Sequence, residues 1–524
     1  MTCRMRCFAG FVGVGLLGLL AACATGEGTG EASADLSEAR RFPAGFVLGS
    51  AIAGFQVEMG CPTVAAAECE DRNSDWYQWI TTQRIVDNPI LFMSKDRPAS
   101  GPGFYETYDQ DLARAKDLGT SAVRLSIEWS RIFPTSTVGI DDVRSVASPE
   151  GVAFYHRVFR SMKARGLTPF VTLNHYTLPL WIHDGNHCNQ DFDGCVAAGH
   201  AGWGDPDRSK IVGEIAKYAG FVAEEFGGEV DSWATLNEPF SAVVLPGYLL
   251  ATPQRTNPPG LSGPWAKVDA AKTAATAMIE AHARMYDAVK AHDTKDADGD
   301  GKAANVGLVY AFSDVHGAQG DADVQAHANY IFQDMFMDGV VEGRVDEDWT
   351  RGPGKAPVRE DIKGRIDFVG VNYYFRFEAK KTWLKPFGFV SPFLDFDLLS
   401  GFDEKPAGIA PVLRRVAGRY KLPIYVTETG TQQSDERRGA AWVVQTLDGV
   451  RSAIADGVDV RGYFAWSLMD NFEWNHGMGM RFGLYAVDPA TKARSVRPSG
   501  EALSAIARDH AITLATQDAY SFTF

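Results

Sequence analysis

The chain has 524 residues, 45 % of them hydrophobic and 11 % aromatic, which is ample to bury one large core. A formal net charge of −15 excludes the basic footprint of a nucleic-acid binder or of a protein adsorbed on an anionic membrane face. The same acidity describes a solvated, self-repelling surface and identifies no substrate. At the start of the chain, Arg4 and Arg6 precede an apolar run over 8–20, closed by Leu20-Ala21-Ala22-Cys23. A basic start, a short apolar stretch and small residues at the cut predict an export signal over 1–22. The run is shorter than the roughly 20 apolar residues of a spanning helix.

Leu20 to Cys23 also resembles the bacterial lipobox. That resemblance implies diacylation of Cys23, a membrane-anchored lipoprotein facing the periplasm or cell surface, and a membrane contact made only through lipid. Residues 23–40, rich in Gly, Glu, Ser and Thr near their start, then form a tether. Cys3 and Cys7 leave with the signal. The remaining four cysteines fall into two local couples, Cys61 with Cys69 and Cys188 with Cys195, as disulfides in an oxidising compartment would. A metal site is the alternative at the second couple, where His183 and His187 lie close in sequence.

Residues 41–515 show no low-complexity break. Strand-like runs over 45–51, 122–127, 169–175, 232–237, 306–312, 368–374, 424–427 and 462–468 alternate with helical stretches such as 105–118, 210–226, 266–291 and 435–455. Continuous apolar strands alternating with helices are buried on both faces, and eight such units predict an α/β fold, a single (β/α)8 TIM barrel. A doubly wound sheet is the weaker alternative, because no G-x-G-x-x-G follows the first run. In a barrel the active groups stand at the C-terminal strand ends. Those ends carry Gln56, Glu128, His175, Asn237 with Glu238, Tyr374, Glu428 and a cluster from Trp466 to Trp474.

Two carboxyls in one barrel mouth suit glycoside hydrolysis, in which one donates a proton and the other stays ionised. A lone strand-end Glu is as readily a helix cap or a salt-bridge partner. The flanking residues decide further. Thr235-Leu236-Asn237-Glu238-Pro239 and Val426-Thr427-Glu428-Thr429-Gly430 resemble the acid/base and nucleophile motifs of glycoside hydrolase family 1. The resemblance continues through 46–51 with Gln56-Val57-Glu58, through 124–131, 370–374 and 466–474, and through Arg481-Phe482-Gly483-Leu484. It implies a retaining β-glycosidase of β-glucosidase type, with Glu428 as nucleophile and Glu238 as general acid and then base. It also implies that Gln56, His175, Asn237, Trp466, Glu473 and Trp474 bind the sugar, while Arg124 and Tyr374 hold the nucleophile. Relatives acting on 6-phosphorylated sugars replace the carboxylate matched by Glu473, so an unphosphorylated β-linked glycoside or oligosaccharide is the expected partner. No cofactor is expected.

Three positions depart from the family pattern. Thr429 stands for the usual Asn, Tyr176 for a frequent Trp, and Thr177 for a frequent acid or amide, which leaves the preferred sugar open. The stretch 174–184 is closer to the archaeal-type members. The loops around both cysteine couples and around 383–386 match no motif and are expected to shape the leaving-group side. Asp296-Ala297-Asp298-Gly299-Asp300-Gly301 has calcium-loop spacing, but its twelfth position is Gly307 rather than Glu, and a solvated turn reads equally well. Competing functions are a transglycosylating or endo-acting member of the family and a non-catalytic sugar-binding or adhesive lipoprotein. Loss of one of the two glutamates would mark the non-catalytic form, and both are present.

Overall fold

The computed structural model describes residues 40–380 and 402–524. The export signal, Cys23, the tether up to residue 39 and the 383–386 loop lie outside the described residues. The eight expected apolar runs become eight parallel strands: β1 (Val47–Ala51), β2 (Ala122–Ser126), β3 (Thr168–Asn174), β4 (Ser232–Asn237), β5 (Asn305–Ala311), β6 (Phe368–Tyr373), β7 (Ile424–Thr429) and β8 (Val460–Trp466). Each pairs with the next, and β8 returns to β1 with Val47 opposite Gly462 and Ala51 opposite Trp466, so the sheet closes into a barrel. Closure leaves no exposed edge.

One long helix follows each of seven strands and a shorter one follows β5: α1 (Phe104–Asp117), α2 (Pro149–Ala164), α3 (Ser209–Phe226), α4 (Val268–His292), α5 (Met335–Glu342), α6 (Ile409–Tyr420), α7 (Glu436–Ala455) and α8 (Pro498–Asp509). Local sequence starts several of them. Ser148 caps α2 by accepting from the Gly151 N–H, with Pro149 at the first helical position, and Asp435 caps α7 through the Arg437 N–H. Each helix turns an apolar stripe to the barrel wall. Among the described residues none is long and apolar enough to cross a membrane.

The inside of the barrel is filled rather than hollow. The rings of Phe170, Phe368, Tyr425 and Phe464 meet with centroids 5.2–5.5 Å apart. Small residues make room for them. A Cβ on Gly307 would stand 2.4 Å from the Phe368 carbonyl and 2.5 Å from its ring, so β5 can lie beside β6 only with glycine there. This aromatic plug separates two ends: a floor where the strands begin and a mouth where they stop.

Both cysteine couples are disulfides, Cys61–Cys69 and Cys188–Cys195. His183 is not a partner of the second couple, because its Nδ1 lies 2.7 Å from Asp75 Oδ2. The first cystine is held against the barrel by Arg131, whose Nη2 donates to the Cys69 carbonyl at 3.0 Å. Beside the second, Asn189 Nδ2 donates to the Pro259 carbonyl at 2.8 Å.

Candidate active site

Glu238 and Glu428 both stand where the pairing of the barrel strands slips. The β4–β5 register shifts between Ala234 and Asn237, and the β6–β7 register shifts between Val426 and Glu428. Such irregularities re-aim a side chain at a strand end. Glu238 in addition adopts φ 43°, left-handed backbone that a non-glycine residue takes only under constraint. The constraint is visible: its N–H donates to the Val309 carbonyl at 3.0 Å, and Pro239 opens a π-helical stretch, Pro239–Leu249.

The two carboxylates are gripped by different donors. Glu428 is 3 % exposed and accepts from Tyr374 Oη at 2.7 Å and from the Arg124 guanidinium through Oε1. Arg124 is itself buried and oriented by Thr172 Oγ1 at 3.1 Å and Asn237 Oδ1 at 2.7 Å. Glu238 is half-buried and accepts from Asn372 Nδ2 at 2.8 Å and Tyr176 Oη at 2.9 Å. Asn372 lies opposite Glu428 in the β6–β7 register and also donates to Asn237 Oδ1 at 3.2 Å, so one amide bridges the two halves of the site.

Burial pushes Glu428 up to about 7; the Arg124 charge and the Tyr374 hydrogen bond pull down, while the Glu238 charge pushes up. The supports expected from the sequence are therefore in place, but in the ligand-free site desolvation outweighs them. Burial likewise pushes Glu473 up to about 7, against the opposing charge of Arg255. Burial and the Arg124 and Arg255 charges hold His175 well below its usual range, so its ring is neutral.

Around this pair the other expected residues converge. Gln56 follows β1, is wholly buried, and donates through Nε2 to Asn471 Oδ1 at 2.9 Å and Glu473 Oε2 at 3.0 Å. Its Oε1 is buried without a partner. The His175 ring lies parallel to Trp466 and to Trp474, 6.0 Å from each. Trp474 is 2 % exposed and stacks on Phe55, so much of its ring is core. Asn237 is tied into the same network: besides accepting from Arg124 and Asn372, its Nδ2 donates to Tyr176 Oη at 2.7 Å. Behind the site, Arg497 grips Asp470 bidentately at 2.7 and 2.6 Å and pins the segment that follows β8.

Three functional neighbours were not singled out by the sequence. Asn372 is one polar residue inside an apolar strand, Tyr176 reads only as a replaced Trp, and Arg255 lies in an unpatterned loop after the π-helical stretch. Arg255 Cζ sits 4.5 Å from the Tyr176 ring centre and 5.0 Å from that of Trp474, and its Nε and Nη2 are buried without a protein acceptor. Of the departures, Thr429 Oγ1 accepts from Trp442 Nε1 at 2.9 Å, and Thr177 donates to Glu128 at 2.6 Å. Burial and the nearby Glu58 charge push Glu128 up to about 8, which makes it a neutral structural acid rather than a third ionised group in the mouth.

A cavity of about 330 Å³ opens beside Glu238, with Leu245, Leu249, Val315, Phe332 and Phe375 on its walls. A second, of about 700 Å³, reaches Glu473, Tyr374, Arg255 and Phe482. No residue from 61–69 or 188–195 lines either of these two cavities.

Comparison with known proteins agrees with this geometry. The family model described as Glycosyl hydrolase family 1 matches residues 38–512. The chain is 33 % identical to a β-galactosidase of Pyrococcus woesei over 87 % of its own length and 94 % of the relative's. It is also 33 % identical to a β-galactosidase of Saccharolobus solfataricus, over 90 % and 96 % of the two chains. The crystal structure of the β-glycosidase from Thermosphaera aggregans superposes with a TM-score of 0.78 at 29 % identity, covering 92 % of this chain and all of that one.

Proposed function

Because the chain belongs to glycosyl hydrolase family 1 and hydrolyses β-glycosides, we propose that Glu428 attacks the anomeric carbon while Glu238 protonates the departing oxygen. Glu238 then deprotonates the water that releases the sugar. The observation that carries this assignment is the pair of different grips: a guanidinium and a phenol on Glu428, an amide and a phenol on Glu238. A cation against one carboxylate alone favours its ionised form, as a nucleophile requires.

The sugar is proposed to lie with its hydroxyls toward Gln56, His175, Asn237 and Glu473 and one C–H face on Trp466. Two unmet needs in the protein support this. Gln56 Oε1 lacks a donor and two Arg255 nitrogens lack an acceptor, and sugar hydroxyls can serve both. The half-buried carboxylate of Glu473 supports an unphosphorylated sugar, since it would repel phosphate. The apolar cavity beside Glu238 lies on the side of the departing oxygen and supports an apolar or aromatic leaving group. The test is a panel of aryl β-glucoside, galactoside, fucoside, mannoside and xyloside, with 6-phosphorylated glucoside as control. Glucoside or galactoside turnover with a silent phosphorylated control is expected; preference for the phosphorylated sugar would overturn the reading of Glu473.

The hydrogen bond from Tyr374 to Glu428 gives a pH prediction. It favours the ionised nucleophile, so Tyr374→Phe raises the pH at which Glu428 ionises. The acid limb of kcat/KM is expected to move upward by about one pH unit while the alkaline limb stays. An unmoved acid limb would remove Tyr374 from the nucleophile's support.

The N-terminal sequence supports export and anchoring through lipid on Cys23. Cys23→Ser in the producing cell is expected to move activity from the membrane fraction to the soluble one; activity that stays membrane-bound in that variant would refute the anchor.

A further inference from the structure

We infer that Asp231, Asp296 and Asp298 form a Ca²⁺ site on the floor of the barrel, and that the ion clamps the loop between α4 and β5 to the start of β4. Asp296 and Asp298 belong to the acidic loop before β5; Asp231 comes from elsewhere in the chain, one residue before β4. The structure brings one carboxylate oxygen of each within 4.8 Å of the others. Three like charges that close repel one another unless a cation lies among them.

Asp231 supplies the independent observation. It is 6 % exposed, and its carbonyl accepts from the Asn305 N–H at 2.7 Å, which ties it to the first residue of β5. Its Oδ1 accepts from the Ala297 N–H at 2.9 Å, so the side chain points at the loop. Its Oδ2 is buried and has no partner. An orphaned buried carboxylate oxygen is costly, and a cation is the ligand that removes the cost.

The loop is shaped to complete the site. Asp296 accepts from the Gly299 N–H at 2.7 Å and the Gly301 N–H at 3.0 Å, and Gly301 takes φ +88° at the sharp turn. Asp296, Asp298, Asp300 and Gly301 thus hold the first, third, fifth and sixth positions of a calcium loop. The twelfth position, which ordinarily brings a bidentate carboxylate, is Gly307, and the contact with Phe368 forbids any side chain there. Asp231, just before the neighbouring strand β4, supplies the inward carboxylate. All-oxygen, carboxylate-rich coordination on an adaptable loop selects Ca²⁺ over Mg²⁺, which demands a tighter octahedron.

The test uses the purified full chain, stripped with EGTA and desalted. Calorimetric titration with CaCl₂ alone is expected to give one ion per chain, and millimolar Ca²⁺ to raise Tm by several degrees over EGTA. Mg²⁺ at the same concentration is expected to leave Tm unmoved. Asp298→Asn, on the exposed loop, is expected to weaken Ca²⁺ binding at least about tenfold, and Asp231→Asn likewise. Turnover of an aryl β-glucoside at room temperature is expected to be the same with Ca²⁺ and with EGTA, because the aromatic plug lies between floor and mouth. The inference fails if Ca²⁺ gives neither heat nor a Tm shift, if Mg²⁺ serves equally, or if Asp298→Asn binds Ca²⁺ as the parent does. Should Asp231→Asn not fold, the Asp298→Asn result decides alone.

Discussion

Glu428→Ala is expected to lower kcat on an aryl β-glucoside by at least about 10⁴-fold, whatever the leaving group. On the proposed assignment the substitution removes the atom that forms the covalent sugar–enzyme bond, and the neighbouring carboxylates are engaged elsewhere. Glu238 is held away by Asn372 and Tyr176, and burial keeps Glu128 protonated beneath Thr177. Alanine also strands the buried Arg124 guanidinium with neutral partners only, at a cost of about 3–5 kcal/mol in stability. Glu428→Gln, which can still face Arg124, separates the effects: turnover is lost in both variants and Tm falls mainly in the first. Undiminished turnover in either would sink the assignment.

Glu238→Ala is expected to behave differently. Loss of a general acid costs about 10²–10⁴-fold, and only where the departing oxygen needs a proton. Alkyl glycosides should lose the full factor. Dinitrophenyl glycosides should keep a rapid first step and then stall, because the same variant lacks the base that activates water. The alkaline limb of the pH profile should vanish. Equal loss for good and poor leaving groups would mean that Glu238 is a structural group rather than the proton donor. The two variants together distinguish nucleophile from acid without recourse to any relative.

The barrel was legible in the sequence because its strands are buried on both faces and read as unbroken apolar runs. Their ends were legible too, since a polar residue after such a run stands out. What happens between strands was not. Asn372 looks like a blemish in β6 until the register sets it opposite Glu428. Arg255 sits in a loop whose local residues give no hint that it ends over Tyr176 and Trp474. Asp231 reads as an ordinary turn residue before a strand, and only the fold carries the acidic loop to it. The charge state of the nucleophile was invisible for a similar reason. A motif names Glu428 and its supports, but the burial that lifts it to about 7 belongs to the packed mouth as a whole.

The hydrogen bond from Asn189 to the Pro259 carbonyl gives the Cys188–Cys195 bridge a reach beyond its own short loop. Pro259 is four residues along the chain from Arg255, whereas the hydrogen bonds on Glu238 and Glu428 come from Asn372, Tyr176, Tyr374 and Arg124, none of them in that loop. A chain matured among reduced thiols would lose the cross-link that fixes the loop from which Asn189 reaches Pro259.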